Sequence, residues 1–347
     1  MFAIISAVND SLDGILVRPM KNGDLFPEDF CRGSSRGFSG GIVSDICTAT
    51  ESLNDILGRM QKKCKGRIRD VYSVLTSTSV EITPSSGLVL LSRYGREVEK
   101  RDVNRCVEIG ATMRLPLDRY IIHKIVTGFS IDGDPDIKNP IGLDAVKLSA
   151  DINVLTLNSS IVNNMSKCIS YAGYVPAGFF FSGIVTSYRS LFDEDKEKGV
   201  LLLNICRDMT EATIFYKGTL TGCRVFSLGV NDMNSLDGNI NAAVLNDLAA
   251  AIRVLPGSDK ISKTVVIGQG KQTDDLIESL EKVLSTPVEA GTCISRHFEQ
   301  LPIDKDGYTA VLGCADLLAE EEIGKNPFSD IPRWLVFKAN SFLNRYF

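Results

Sequence analysis

The stretch LLLNICRDMTEATIFYKGT, residues 201–219, reads as a strand, a tight turn and a second strand. Strand pairs that close over a phosphate usually carry glycines at such a turn, because backbone N–H groups must come close to the phosphate oxygens. This turn carries Cys206, Arg207 and Asp208 instead. Two interpretations follow from the residues alone: a phosphate loop that has lost its ligand, or a turn that never bound one.

A pattern of strands and helices extends to both sides of this stretch. Two strands around NDSLDG open the chain, and apolar residues spaced by three and four predict a helix from Ile46. After Gly199 the pattern restarts, with helices predicted over INAAVLNDLAAAIRVL, TDDLIESLEKVL and GYTAVLGCADLLAEEE. This interleaving predicts a mixed-sheet α/β fold of two halves, with an insertion inside the first half.

The composition limits the classes of function. Of the 347 residues, 23% are charged and 44% hydrophobic, so the chain can bury apolar cores. The formal net charge of −5 argues against a nucleic-acid partner. The start MFAIISAVND lacks a basic region and reads as a buried strand rather than a signal peptide. No apolar run approaches the length of a membrane span.

Residue types that carry chemistry are scarce or scattered. The nine cysteines form no CxxC pair and there are two histidines, which argues against a metal site. His123 is interpreted as a packed or surface histidine, since it lacks partners for catalysis or ligation. Asp134 and Asp136 lie in DGDPD, where aspartate favours turn geometry by itself. The sequence therefore predicts a protein that is not an enzyme.

Two segments resemble a known family. SGGIVSDICTATESLNDIL, residues 39–57, is similar to the segment of the cell-division protein FtsA that enters its inserted subdomain. YIIHKIVTGFSIDGDPDIKNPIGLDAVKLSADINVLTLN, residues 120–158, resembles the segment that leaves it. The matching positions are His123, Asp132, Gly133, Ile137, Lys138, Pro140, Gly142 and Leu148. The resemblance covers most of the chain, and the block from Ile137 to Gly142 is its most specific part.

The resemblance implies an actin-like α/β fold with two ribonuclease-H-like domains and an FtsA-type inserted subdomain. The implied first domain is 1–42 and 152–198, the SHS2-like insertion 43–151, and the second domain 199–320. A linker over 321–331 and a membrane-targeting helix over 332–347 follow. The family's helical subdomain of the second domain is expected to be missing, since one helix and a short loop separate Asp237 from Thr264.

The resemblance also implies three degenerate nucleotide loops. In the second phosphate loop, Asn204 replaces the family's acid, Cys206, Arg207 and Asp208 replace its glycines, and Thr210 follows. In the first, Asn9 replaces the usual acid, followed by Ser11 and Asp13. The adenosine side keeps Gly268 and Gly270 around Gln269, and the SLGV strand keeps Gly229. We therefore expect ATP and Mg²⁺ to bind poorly or not at all. Of the two interpretations of the turn at residues 206–208, this favours a phosphate loop that has lost its ligand. The alternative is a functional ATPase in which Arg207 holds the nucleotide.

The C-terminal tail reads as a basic amphipathic helix. Pro332 suits a first helical position, and the single tryptophan lies at the border of the apolar face. The residues expected to contact the membrane are Trp334, Leu335, Lys338, Phe342, Leu343, Tyr346 and Phe347. Such a helix with aromatics fits a membrane interface, and FtsA proteins end similarly. The alternative is a terminal helix packed on the body.

The resemblance implies a divisome scaffold on the cytoplasmic side of the cell membrane at the division site. Its expected partners are an FtsZ-like tubulin homologue, late divisome proteins, the membrane, and further copies of itself in filaments. Because PilM, a relative in type IV pilus assembly, shares the insertion, a pilus or secretion platform remains an alternative.

Overall fold

The computed structural model describes residues 1–8, 11–20, 25–64, 66–112, 115–233, 240–269, 274–294 and 305–323. The first elements are β1 (Phe2–Ser6), β2 (Ser11–Pro19), β3 (Leu25–Ser34), β4 (Phe38–Ser39), β5 (Ile42–Val43), α1 (Ile46–Lys63) and β6 (Asp70–Leu75). Next come β7 (Glu81–Leu90), β8 (Arg96–Glu97), α2 (Lys100–Thr112), β9 (Arg119–Ile131), β10 (Asp134–Ile137), β11 (Asp144–Ala145) and β12 (Lys147–Asn158).

The later elements complete the two halves. They are α3 (Ser159–Tyr171), β13 (Val175–Phe181), α4 (Ser182–Ser190), α5 (Asp193–Lys198), β14 (Val200–Ile205), β15 (Thr210–Tyr216), β16 (Thr219–Phe226), α6 (Val230–Met233), α7 (Ala242–Arg253), β17 (Lys263–Gly268), α8 (Asp274–Leu284), β18 (Val288–Ala290) and α9 (Thr309–Ile323). Among the helices that the structure describes, none has the length and apolar character needed to cross a membrane.

The first domain is built on a five-stranded sheet, in the order β13-β6-β1-β2-β3. Strand β1 runs parallel to β6, and β6 runs parallel to β13, whereas β2 and β3 follow as an antiparallel meander. Three consecutive parallel strands place their carboxyl ends at one edge of the sheet, where a site between domains can form.

Helix α1 belongs to this first domain. Asp45 caps it by accepting a hydrogen bond from the Thr48 N–H at 2.6 Å, and Leu53, Ile56 and Leu57 are buried in the core shared with β1 and β2. Strand β6 likewise lies inside the first sheet. An insertion that starts at residue 43, as predicted, would contain both elements, whereas their packing assigns them to the first domain.

The insertion is a four-stranded antiparallel sheet, in the order β10-β9-β12-β7, covered on one face by α2. Val103, Cys106 and Val107 of α2 pack on the strands in a separate core. Gly87 permits this contact, because a Cβ atom at that position would collide with the Cys106 carbonyl oxygen. The insertion therefore has a hydrophobic core of its own, between α2 and its sheet.

Arg119 ties the insertion to the first domain. Its guanidinium donates to the Asn158 side chain at 2.9 Å and to the Ser79 carbonyl at 2.7 Å. It also donates to the hydroxyl and the carbonyl of Thr156. These groups lie where the chain enters and leaves the insertion, so one buried cation holds the two connecting segments together.

The second domain has a five-stranded sheet, in the order β16-β15-β14-β17-β18. Lys217 and Gly218 adopt φ values of 51° and 73° in the turn between β15 and β16, which is the geometry of a tight hairpin. Helices α7 and α8 cover one face, with Leu245, Leu248 and Leu276 in the core. The three predicted strands and the predicted helices of this half are confirmed.

Helices α4 and α9 join the two domains. Helix α4 continues from β13 and also packs on β14 and β15, whereas α9 packs on β1, β2 and β6 of the first domain. Gly313 allows the two helices to touch, since a Cβ there would collide with the Val185 carbonyl oxygen. Arg189 and Asp316, both fully buried, form an ion pair between the helices. Helix α9 was predicted as part of a second domain ending at residue 320, but it packs on β1, β2 and β6 of the first domain and extends to Ile323, into the predicted linker.

Candidate functional site

The ends of three central strands meet between the two domains. Val8 follows β1, Asn204 lies near the end of β14, and Gly268 ends β17; all three line one cavity together with Thr309 and Ala310 of α9. The cavity has a volume of about 30 Å³. A volume of this size holds a few water molecules, since one needs roughly 10–15 Å³, and is far below the several hundred Å³ of a typical small-molecule site.

Residues 206–208 form the predicted turn, and its carbonyl groups face inward. The Cys206 and Arg207 carbonyls accept from the N–H groups of Val230 at 3.0 Å and Asn231 at 3.1 Å. Asn231 also donates its side-chain amide to Asp208 at 2.8 Å. The first N–H groups of helix α6 are therefore engaged by the turn itself. Donors of this kind are the ones that would otherwise point at an anion.

The side chains of the same turn are paired with each other. The Arg207 guanidinium lies 3.2 Å from the Asp208 carboxylate, and both side chains are more than half exposed. Gly229, at the start of α6, donates its N–H to Asp232 at 2.8 Å. The turn thus presents a neutralised ion pair to solvent, where a phosphate loop would present backbone donors.

Asn204 is buried and hydrogen-bonds to a buried carboxyl group. Its side-chain amide donates to Glu211 Oε2 at 3.1 Å, and the Ser182 hydroxyl donates to the same oxygen at 2.9 Å. Glu211 is 1% exposed, and burial raises its pKa above the ordinary value, while nearby Thr76, Asn204 and Ser182 act in the opposite direction. Because Ser182 begins α4 and Glu211 lies on β15, this cluster links the two domains.

Thr210, next to that cluster, is also engaged internally. It is fully buried, and its hydroxyl donates to the Leu228 carbonyl at 2.8 Å. Cys206 is buried too and donates its thiol to Asn204 at 3.8 Å. Both side chains stabilise the meeting of β14, β15 and the segment that follows β16.

Asp13 lies on β2 and is paired with Arg32 of β3. The Arg32 Nε donates to Asp13 at 2.6 Å, and the Ser11 hydroxyl donates to the same oxygen at 3.1 Å. Burial raises the Asp13 pKa, and the hydrogen bond and charge of Arg32 oppose that shift. Arg32 also covers the Tyr308 ring at 4.8 Å and donates to the Gly307 carbonyl at 3.0 Å. Asp13 therefore anchors the chain ahead of α9.

Gly268 is required by packing. Its φ is 79°, and a Cβ atom would lie 2.6 Å from the Ile205 carbonyl oxygen and 2.8 Å from Asn204 Oδ1. The close approach of β17 to β14 explains this glycine without a ligand. Asn9 and Gly270, the remaining residues of the predicted nucleotide loops, lie outside the described residues, as do the predicted membrane residues Trp334, Leu335, Lys338, Phe342, Leu343, Tyr346 and Phe347.

Glu211, Ser182 and Arg32 complete these contacts, and none of them was among the residues predicted for the site. A carboxylate inside the apolar strand EATIFY was the available signal for Glu211, since a buried charge requires partners. Arg32 and Ser182 carry no local signal, because their partners lie far away in the chain.

His123 is a packed histidine, as interpreted. It is 2% exposed, its Nε2 accepts the Phe181 N–H at 2.8 Å, and burial lowers its pKa to about 3. The neutral ring therefore connects β9 of the insertion with the end of β13. These contacts give His123 a structural role at the junction of β9 and β13.

Comparison with known proteins shows which family this chain resembles. Residues 78–156 match the model of the SHS2 domain inserted in FtsA. The FtsA of Borreliella burgdorferi is 29% identical over 223 residues, which are 64% of this chain and 54% of that protein. The FtsA of Pseudomonas aeruginosa is 24% identical over 219 residues, 63% of this chain and 49% of that protein.

The chain is similar to the cell-division protein FtsA. It spans about half the length of the FtsA proteins it matches. The SHS2 match begins after β6, in agreement with the packing of α1 and β6 in the first domain. We therefore place the start of the insertion near residue 78 instead of residue 43.

Solved structures are similar to this chain in fold over nearly its whole length. The type IV pilus biogenesis complex PilM-PilN contains a chain with a TM-score of 0.59 and 12% identity, covering 93% of this chain and 98% of that one. MreB5 of Spiroplasma citri, bound to ADP, has a TM-score of 0.50 and 8% identity, covering 94% and 98%. The predicted actin-like fold is confirmed.

Proposed function

We propose that this FtsA relative is a cell-division scaffold that acts by binding, with a nucleotide cleft that no longer binds ATP. The observation that supports this most is the turn at residues 206–208, whose carbonyls engage the N–H groups of Val230 and Asn231. A phosphate would have to displace these bonds and approach the Asp208 carboxylate. The small cavity at the strand ends supports the same conclusion.

The missing lid belongs to the same proposal. The described residues between β16 and β17 comprise α6, α7 and one turn of 3-10 helix, Ser258–Lys260, while residues 234–239 lie outside the description. We propose that the family's helical subdomain is absent, which removes one wall of the nucleotide cleft. The FtsZ-like partner would then bind elsewhere or not at all.

Calorimetry with Mg-ATP tests the nucleotide proposal. We expect a dissociation constant weaker than roughly 1 mM, a binding free energy smaller than about 4 kcal/mol. Arg207→Ala should change nothing, and Lys217→Ala, in the distant hairpin turn, serves as a charge-matched control. Micromolar binding that Arg207→Ala abolishes, with Lys217→Ala unaffected, would establish the alternative, a functional actin-like ATPase.

We propose that the tail over 332–347 attaches the protein peripherally to the cytoplasmic membrane. Trp334 is the single tryptophan in the chain, so its fluorescence reports on the tail. Its emission should shift to the blue when anionic vesicles are added, and Phe342→Glu should abolish the shift, because it places a charge on the apolar face. A wild-type emission that is already blue and unresponsive would mean that the tail packs on the body.

The proposed partners are an FtsZ-like tubulin homologue, late division proteins contacting the SHS2 insertion, and further copies of this chain. If the FtsZ-like tubulin homologue binds this chain, purified FtsZ polymers from the same cell should co-sediment the chain. Failure of co-sedimentation in the presence of vesicles, where the tail is engaged, would remove FtsZ from the list of partners.

A second candidate function is a pilus or secretion platform, which the whole-length likeness to the PilM-PilN chain favours. A fluorescent fusion separates the two functions. Accumulation at midcell and filamentous cells on depletion would support division. Normal division with loss of surface pili would support the platform.

A further inference from the structure

Three segments of the first domain meet at the end of its sheet that lies away from the cleft. Phe2 pairs with Val17 on one side and with Asp70 on the other, and Asp70 pairs with Val175. The starts of the parallel strands and the connection between β2 and β3 therefore share one end of the sheet. The loop from α1 to β6 lies at this end, since Cys64 contacts Met1.

This end carries a concentration of positive charge. Residues 59–69 hold six basic side chains: Arg59, Lys62, Lys63, Lys65, Arg67 and Arg69. Two of them are neutralised, Arg59 by Asp55 at 3.3 Å and Lys63 by Asp29 at 3.0 Å.

The remaining charges of this loop are available to a ligand. Lys62, Arg67 and Arg69 are exposed, and no ion pair among the described residues engages them; Lys65 lies outside the description. In a chain of net charge −5, this local excess is a feature of one surface and not of the whole protein.

Exposed apolar side chains lie at the same end of the sheet as these charges. Met20 and Phe26 flank the connection between β2 and β3, and Tyr171 and Val175 flank the turn before β13. The Val175 N–H donates to the Arg69 carbonyl at 2.9 Å, so the basic loop and this turn are direct neighbours. We call this surface, defined by Lys62, Arg67, Arg69, Met20, Phe26, Tyr171 and Val175, the basic end.

We propose that the basic end is a second membrane-contact surface, which binds anionic phospholipid headgroups while its apolar side chains enter the interface. Exposed basic residues at the same end of the sheet as exposed aromatic and aliphatic side chains suit a lipid surface. A soluble polyanion would use the charges but would leave the four apolar side chains without a role. The proposal rests on the proposed membrane function of the tail and adds a second point of contact.

Two contact points have a consequence for orientation. A single tail leaves the body free to rotate, whereas a tail and the basic end together turn the same face of the first domain to the membrane. The cleft lies at the opposite end of the first sheet and would face away from the lipid. Linked contacts also strengthen each other, since the second binds at the high local concentration set by the first.

Vesicle binding of the full chain tests the proposal. The patch variant is Lys62→Gln, Arg67→Gln and Arg69→Gln. The matched control is Arg93→Gln, Lys100→Gln and Lys138→Gln, three exposed basic residues of the insertion with the same change of charge. Phosphatidylcholine vesicles with and without phosphatidylglycerol, at low and high salt, serve as the probe.

We expect the patch variant to bind phosphatidylglycerol vesicles about 10- to 100-fold more weakly at low salt, and the difference to vanish at high salt. The control should bind as the wild type does. Equal binding of the patch variant, or an equal loss in the control, would overturn the proposal. Patch-dependent binding of DNA without patch-dependent binding of vesicles would overturn it as well, because the ligand would be a soluble polyanion.

Phe342→Glu separates this inference from the tail proposal. If the tail variant loses binding and the patch variant does not, the tail is the anchor and the inference is wrong. If the patch variant loses binding and the tail variant does not, the inference stands and the tail proposal fails. Loss in both, with a larger loss in the combined variant, supports both contacts.

Discussion

Acidification should destabilise this protein through the buried imidazole of His123. The ring is 2% exposed and its Nε2 accepts the Phe181 N–H at 2.8 Å, so protonation would remove an acceptor and bury a charge. Burial lowers its pKa from 6.5 to about 3. Between these values the unfolded chain binds a proton that the folded protein does not, so folding stability falls as pH decreases from 6.5 towards 3.

The magnitude follows from linkage. Each unit of pH below the unfolded pKa costs about 1.4 kcal/mol, so the loss at about pH 5 is about 2 kcal/mol relative to neutral pH. Asp13 and Glu211 have raised pKa values, so they change stability in the opposite direction and obscure the total slope. A difference between variants is therefore needed to isolate the imidazole.

His123→Gln is the suitable variant, because the glutamine oxygen can accept the same hydrogen bond and does not titrate. Urea unfolding followed by far-ultraviolet circular dichroism, across pH values from about 7.5 to about 5, gives the free energy of unfolding. The wild type should lose about 2 kcal/mol more than the variant over this range. His297→Gln retains His123 and should keep the wild-type slope. Parallel slopes of wild type and His123→Gln would refute the assignment of a buried, neutral ring.

Three further outcomes follow from buried contacts. Asp316→Ala leaves Arg189 as an uncompensated buried charge and should lower the free energy of unfolding by about 3–5 kcal/mol, measured by urea titration; a loss below about 1 kcal/mol would mean that water reaches this pair. Gly87→Ala should push α2 off its sheet at the Cys106 carbonyl and cost about 1–3 kcal/mol, seen as faster hydrogen exchange in the insertion; unchanged exchange would contradict the close contact. Glu211 has a raised pKa, so its contribution to folding stability is present below pH 4.5 and is lost as the pH rises through the pKa of the folded state. Glu211→Gln should therefore gain stability relative to the wild type with rising pH. A stability difference between the two proteins that does not change with pH would count against a buried carboxyl group.

Local patterns predicted most of the elements. The apolar period from Ile46 corresponds to α1, and Gly173, a residue type that commonly ends helices, has a φ of 85° after α3. The strand pair of the opening stretch is β14 and β15, paired from Val200 with Phe215 to Ile205 with Thr210. These features depend on neighbours a few residues apart, so the sequence contains all the information they need.

The boundaries of the domains required the structure. The sequences of helix α1 and strand β6 are equally compatible with the insertion. The pairing of Phe2 with Asp70 assigns β6 to the first sheet, and α1 belongs to the same domain. Helix α9 follows the second domain along the chain but packs on β1, β2 and β6 of the first domain. Packing partners far away in the chain leave no local trace in the sequence, so element order alone misplaced them.

The sequence by itself determined that the turn at residues 206–208 lacks the glycines of a phosphate loop, because side-chain identity decides how closely a backbone can approach an anion. Only the tertiary structure decided where the turn's carbonyls bond, that Asn204 and Ser182 hold Glu211, and that Arg32 neutralises Asp13. The reason is physical: a buried polar group is satisfied by whichever partner folding brings within about 3 Å, and that partner is chosen by the packing of whole sheets and helices.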